Sequence, residues 1–424
     1  MAGTRPAYSA APVYANTRES SSSLLKLALF FAALATLLSP YVEWRPAEVF
    51  VTTSDILFMI AAALLMSSGH VQTRPFGPTT LYWLSAYVIM ILGLFIGSVM
   101  NGDPVRWLVA AAQYGFGLVL LPFVFGEPGS DRRALVCAKA MIAGVVLMEA
   151  FGAAIFYGYE ASYQEYQKIS ENFITGGGRL GAFVGQPNWN AAVIAMALPF
   201  AFYLRARGQL SLISVYVTGA VLALGLVLSA SFTGFVSALI VLFLFLIVGG
   251  TRQTLKAALV LAVAGAVLLA SGFELPEVFQ GRVGEALETG DMSQAGTFTG
   301  RMDLILEAWE IVEDTMFVGI GVDQYRVVSP TQVPVHNMYL LLWAEGGLLA
   351  LLGWMLLLTI AGVSVVRVYW VDRQAAALGL SVLSTFLIFS VASPHMYARM
   401  WMVPLVLALV IVLGKLSSPN NAHQ

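Results

Sequence analysis

Charge is scarce in this chain. Asp, Glu, Lys and Arg make up only 11% of its 424 residues, against about a quarter in ordinary soluble domains, which excludes a soluble domain of useful size. With a net charge of −2 and no basic block, nothing recommends a nucleic-acid partner. A single cysteine, Cys137, rules out an internal disulfide. The four histidines are scattered, and no His/Cys cluster has metal-ligand spacing. The chain lacks a Gly-x-x-x-x-Gly-Lys-[Ser/Thr] phosphate loop, which excludes ATP bound in that way as the energy source. It also lacks the nucleophile elbow of serine hydrolases. No cofactor and no metal are therefore expected.

Long apolar runs fill the space that charge leaves. Hydrophobic residues make up 58% of the chain, and blocks of about twenty recur from Leu24 to Gly414, each able to cross a hydrocarbon core of roughly 30 Å. The segments read as 24–42, 49–68, 79–100, 107–125, 134–157, 188–204, 211–230, 233–250, 255–272, 338–366, 376–393 and 401–414. The expected fold is all-α and polytopic, with about twelve transmembrane helices in a single domain over 24–414. Tails over 1–23 and 415–424 flank it. The block from Leu24 has no small-residue cleavage site and reads as a retained helix rather than a signal peptide.

Lys and Arg placement orients the bundle. One set of ends and loops carries fourteen basic residues, including Arg74, Arg132, Arg133, Arg205, Arg207, Arg252, Arg367, Arg373 and Lys415. The opposite short loops carry only Arg45, Arg106 and Arg399. The richer side is expected to be cytoplasmic, with both termini there. Two long loops, about 158–187 and 273–335, then fall on the outer, periplasmic side. The second holds Arg282, Arg301 and Arg326 against eleven acids. Within it, Met302, Ile305, Leu306, Trp309 and Val312 share a helical face, predicting a short amphipathic helix along or above the membrane surface.

Candidate chemistry gathers in these loops. Arg179 sits in Gly176-Gly177-Gly178-Arg179-Leu180-Gly181, just before Gln186-Pro187-Asn188 opens a helix. Glycines admit close backbone approach, a helix N-terminus offers N–H groups to an anion, and arginine adds bidentate phosphate recognition. The set reads either as a diphosphate seat or as a flexible loop with a cap at Asn188. Arg301 is a second candidate ligand; Arg282 and Arg399 are weaker ones. His336 precedes a long apolar run and can accept a proton from a sugar hydroxyl near neutral pH. Nine residues on, Glu345 lies within the same apolar helix, where a carboxylate needs a partner or a function. Asp55 and Glu149 also lie in apolar runs and read first as buried helix–helix hydrogen bonds. His395 is on the same face as His336 but unsupported. Glu310, Glu313 and Asp314 read as a solvated acidic helix face in preference to a cation site.

The run Gly300-Arg301…Trp309…Gly319-Ile320-Gly321…His336-Asn337-Met338-Tyr339-Leu340…Ala344-Glu345-Gly346-Gly347 resembles the signature of the O-antigen ligase/polymerase family, as does Arg179-Leu180-Gly181…Pro187-Asn188…Ala191. One departure is the turn Ser231-Phe232-Thr233-Gly234, where many members carry Ser-Arg-Gly. The resemblance implies a glycosyltransferase of the inner membrane that uses an undecaprenyl-diphosphate-linked glycan as donor, at the periplasmic face, without a nucleotide sugar. It implies that Arg179 and Arg301 hold the diphosphate and that His336 acts on the acceptor hydroxyl. Arg282 is a further candidate ligand; Asn188, Asn337 and Glu345 are candidate supporting residues.

Two reactions of that family compete. A ligase passes the finished glycan to the lipid A core of lipopolysaccharide, whereas a polymerase joins repeat units of a surface or exopolysaccharide on the lipid carrier. The acidic second loop is a poor surface for a phosphorylated core acceptor and favours a polymerase. Membrane lipids and a chain-length regulator are the other partners considered. The alternative from a different class is a transporter or flippase of lipid-linked glycans, in which Asp55, Glu149 and Glu345 would be the coupling groups.

Overall fold

A computed structural model of the chain describes residues 13–42, 51–250, 276–289, 298–394 and 396–416. Hydrocarbon offers no hydrogen bonds, so a spanning backbone must satisfy its own N–H and C=O groups, and helices do this within each segment. The chain accordingly forms α1 (Val13–Leu38), α2 (Thr53–Ser67), α3 (Thr79–Asn101), α4 (Pro104–Phe125), α5 (Arg132–Gly158), α6 (Pro187–Ala206), α7 (Leu212–Ser229), α8 (Phe232–Gly249), α9 (Phe298–Asp314), α10 (Met338–Val368), α11 (Arg373–Ser390) and α12 (Arg399–Leu416). Among the described residues nine helices are long and apolar enough to cross a membrane, while α1 and α2 supply shorter apolar stretches. The expected span at 255–272 lies outside the described residues. No strand forms among those described, only isolated bridges such as Ile174 with Leu180.

Helix starts follow capping chemistry. Thr52 and Asp55 form a reciprocal capping box on α2. Asp103 caps α4 ahead of Pro104, while Ser211, Ser231, Asn337 and Asp372 cap α7, α8, α10 and α11 through their side-chain oxygens. The N-terminal boundary differs from expectation, because α1 begins at Val13 rather than near Leu24. The polar stretch ahead of Leu24 contains neither Gly nor Pro from Val13 onward, so it extends the turn that the apolar part establishes.

Helix α12 is the axis of the bundle. Nearly all its side chains are buried, and it touches α4, α5, α6, α10 and α11. Outer helices keep one apolar face uncovered, as with Leu239, Phe243 and Ile247 on α8 and Leu81, Val88 and Leu92 on α3. Such surfaces suit lipid rather than water. At one end of the bundle Arg207 pairs with Asp372 and Lys415 with Asp131, and Lys139 reaches Gln209. All but the glutamine and the acids belong to the basic-rich set. The long loops gather at the other end.

There α10 is broken. Gly347 has φ +66°, outside the helical region, and the carbonyls of Ala344 and Glu345 accept from the N–H groups of Ile320 (2.8 Å) and Gly321 (2.9 Å). Leu348 N–H donates in turn to Met316 O (2.9 Å). The loop strand 316–321 thus takes over hydrogen bonds that α10 gives up, and Asn101 and Ser98 of α3 fasten it through Gly319 O and Val322 N–H. A methyl group on Gly319 would overlap the backbone of Glu345 and Gly346. The paired glycine motifs seen in sequence are therefore each other's packing partners.

Helix α9 lies against α10. Leu304, Ala308 and Val312 are buried with Leu341 and Ala344, whereas Met302, Leu306 and Trp309 are exposed. The helix carries two apolar stripes. The protein covers one, and the other, continued by Met316 and Phe317, is exposed. Tyr325 locks the arrangement by donating from its hydroxyl to Leu304 O at 3.1 Å.

Candidate functional site

The Gly176–Gly178 turn directs Arg179 inward. Thr175 N–H donates to Arg179 O (2.9 Å), Thr175 Oγ1 accepts from Arg179 N–H (3.2 Å), and Leu180 N–H donates to Leu228 O (2.9 Å). The guanidinium then donates through Nε to Ser229 O (2.9 Å) and through an Nη to Asn188 Oδ1 (2.8 Å). The turn that lacks an arginine of its own is thus the one against which Arg179 rests.

Asn188 opens onto a cavity of about 420 Å³ that His336 also lines. Gln186, Trp189, Thr233, Pro334 and Ser393 complete much of the wall. Three helices begin here: α6 at Pro187, α8 at Phe232 and α10 at Met338. Each N-terminus contributes roughly half a positive charge, and α6 has no side-chain cap of its own. None of the described residues lining this cavity is a carboxylate. The electrostatics suit an anion, beside an imidazole that can take a proton.

The other candidates separate. Asn337 uses its Oδ1 to cap α10, accepting from Tyr339 and Leu340 N–H at 3.0 and 3.1 Å. Arg282 lies on the short helical stretch 277–289, whose Phe279 and Val283 pack on Ala230 and Phe232 beside the Arg179 turn. Burial lowers its guanidinium below the usual arginine range. Neither it nor Arg179 is among the residues lining the His336 cavity, which Arg179 reaches only through its partner Asn188. Arg301 lies in the first turn of α9, and its side chain is outside the described residues, as is His395.

Arg399 is engaged elsewhere. It forms a buried ion pair with Asp55, donates to Gln113 Oε1 (2.8 Å) and Tyr397 O (2.9 Å), and stacks 4.0 Å from the centroid of Phe116. Phe116 opens the π-helical turn Phe116–Leu120 inside α4. Asp55 therefore ties α2 to α12 through this arginine, as a buried helix–helix contact. Glu149 accepts from Asn190 Nδ2 at 3.3 Å, also between helices.

Glu345 lies apart from His336. It lines a second cavity, of about 440 Å³, with Arg106, Tyr114, Asp323, Arg326 and Tyr397. The backbone N–H groups of Asp323 and Tyr325 donate to its carboxylate. Arg106 and Arg326 both approach Asp323 Oδ2, at 3.4 and 2.6 Å. Trp189 lines both cavities. Sequence reasoning missed this second group because its members lie on the α4 start, the loop before α10 and α10 itself, with no shared motif.

No curated protein matches the chain. Residues 217–355, from within α7 through Thr233, His336 and Glu345 into α10, match the family model described as O-antigen ligase, a match that supports the O-antigen ligase/polymerase family for this multi-pass membrane protein.

Proposed function

We propose that the protein is an inner-membrane glycosyltransferase that moves a glycan from an undecaprenyl diphosphate carrier to a sugar hydroxyl at the periplasmic face. One observation carries this reading. A cavity with no carboxylate among its described lining residues, where three helices begin, is lined by both Asn188, the partner of Arg179, and His336.

In the proposed reaction the acceptor hydroxyl oxygen attacks the anomeric carbon of the donor. His336 takes the hydroxyl proton, and the bond between the anomeric carbon and the diphosphate oxygen breaks. The diphosphate leaves on its lipid with the electron pair. Arg179 and the helix N-termini stabilise the charge that develops on it. A prenyl diphosphate is already a good leaving group, so charge stabilisation and a base suffice without a strong acid. Attack opposite the diphosphate inverts the anomeric centre. The apolar outer faces of the helices receive the polyprenyl tail.

Between the two family reactions we favour polymerisation, because the loop over 273–335 carries three basic against eleven acidic residues and repels a phosphorylated core. The test is transfer by purified protein from lipid-linked glycan extracted from the source cells. His336→Ala should abolish it with the protein still in the membrane, and normal transfer by that variant refutes the base assignment. Gene deletion separates the reactions: loss of long chains on every carrier fits a polymerase, and long chains stranded on the lipid carrier fit a ligase.

A further inference from the structure

We propose that the cavity lined by Arg106, Asp323, Arg326 and Glu345 is a second carbohydrate subsite, which holds the acceptor sugar; the inference rests on the transferase reading above. Its positive charge is largely engaged inside the cavity. Both guanidinium groups approach Asp323, and the buried carboxyl group of Glu345 lies in the same wall. A diphosphate entering there would meet both acidic side chains. A polyhydroxylated ring meets what it needs instead: planar donors for its oxygens and charged acceptors for its hydroxyl protons.

The remaining wall agrees with a sugar. Tyr114 and Tyr397 pack edge to face with centroids 5.2 Å apart, and Trp189 closes the side toward the other cavity. These rings offer apolar surface to the C–H faces of a pyranose while the charged groups take its edge. A volume of about 440 Å³ falls among small-ligand sites. Position supplies the link to the reaction. Leu341 and Leu342, within two turns of His336 on α10, line this cavity, and Trp189 borders both. A ring seated here extends a hydroxyl past Trp189 to the imidazole, where the donor carbon lies over the anion seat. Two substrates thus meet at one base from two electrostatically unlike chambers.

The experiment uses the full chain in nanodiscs. Its probe is the glycan released by mild acid from the source cells' lipid-linked pool, tagged with a fluorophore at its reducing end. Wild-type protein should bind the probe. Arg106→Ala and Arg326→Ala should each weaken binding about tenfold or more, while Arg179→Ala weakens it far less. Both arginines are partly exposed, so folding should survive, and Glu345→Gln provides a second, shape-conserving variant that also weakens binding. Excess inorganic pyrophosphate should fail to displace the probe. The subsite is overturned if wild type does not bind, if the cavity variants bind normally, if Arg179→Ala weakens binding as much as they do, or if pyrophosphate competes. Absence of glycosyl transfer by wild type, with this pattern of probe binding intact, would sink the transferase reading alone.

Discussion

Two neighbouring cavities of similar size, sharing Trp189, differ in what surrounds their polar groups. The His336 chamber is built from helix N-termini and, among the described residues, has no carboxylate, with Arg179 fixed beside it by a backbone carbonyl and an amide oxygen. Its neighbour sets two arginines against Asp323, with the buried Glu345 carboxyl in the same wall. A positive seat without carboxylates keeps its potential for an anionic ligand, while one whose arginines are engaged has spent most of it internally and reads shape and hydroxyls. A third arrangement sharpens the lesson. Arg399 is so completely engaged by Asp55, Gln113 and Phe116 that it serves the bundle rather than a ligand. Asp55 is then a poor coupling group for a transporter.

The contrast can be broken in order of expected effect. His336→Ala should lower transfer by about 10²–10⁴-fold, the usual worth of a general base, a far larger effect than on probe binding in the neighbouring cavity; steady-state transfer and probe titration measured together decide it. Arg399→Met leaves a carboxylate buried alone, and breaking such a pair costs about 3–5 kcal/mol. Thermal melting in nanodiscs should show a clear drop, partly restored by adding Asp55→Leu, whereas an unchanged melting curve would return Arg399 to the list of ligand-binding arginines. Arg179→Ala should raise the donor KM by roughly 10–100-fold through loss of charge-assisted bonds, with Arg179→Lys recovering part of it, since lysine keeps the charge without the fork. An effect on the acceptor KM instead would merge the two chambers. Glu345→Gln should be mildest, raising the acceptor KM about tenfold or less at constant donor KM.

Local pattern made much of this legible. Helices of about twenty apolar residues announce themselves because each must satisfy its backbone alone, and eleven of the expected spans appear as helices among the described residues. The Arg179 turn and the α6 start could be read together because they are neighbours in the chain. Asp55 and Glu149 were recognisable as buried contacts, but not their partners, since Arg399 is 344 positions from Asp55 and Asn190 is 41 from Glu149. One apolar stripe of α9 showed in its periodicity, but not the second, Leu304 and Ala308, which packs on α10. The glycine pairs showed as motifs without showing that 316–321 replaces hydrogen bonds lost at Gly347.

Composition and spacing alone determined that the chain is a helical, multi-pass membrane protein, because hydropathy and capping act over a few residues at a time. Only the tertiary structure decided which arginine faces a cavity, which is neutralised, and that His336 and Glu345 serve different chambers. Electrostatic character belongs to the groups that meet in space, and in this bundle those groups come from helices far apart in the chain.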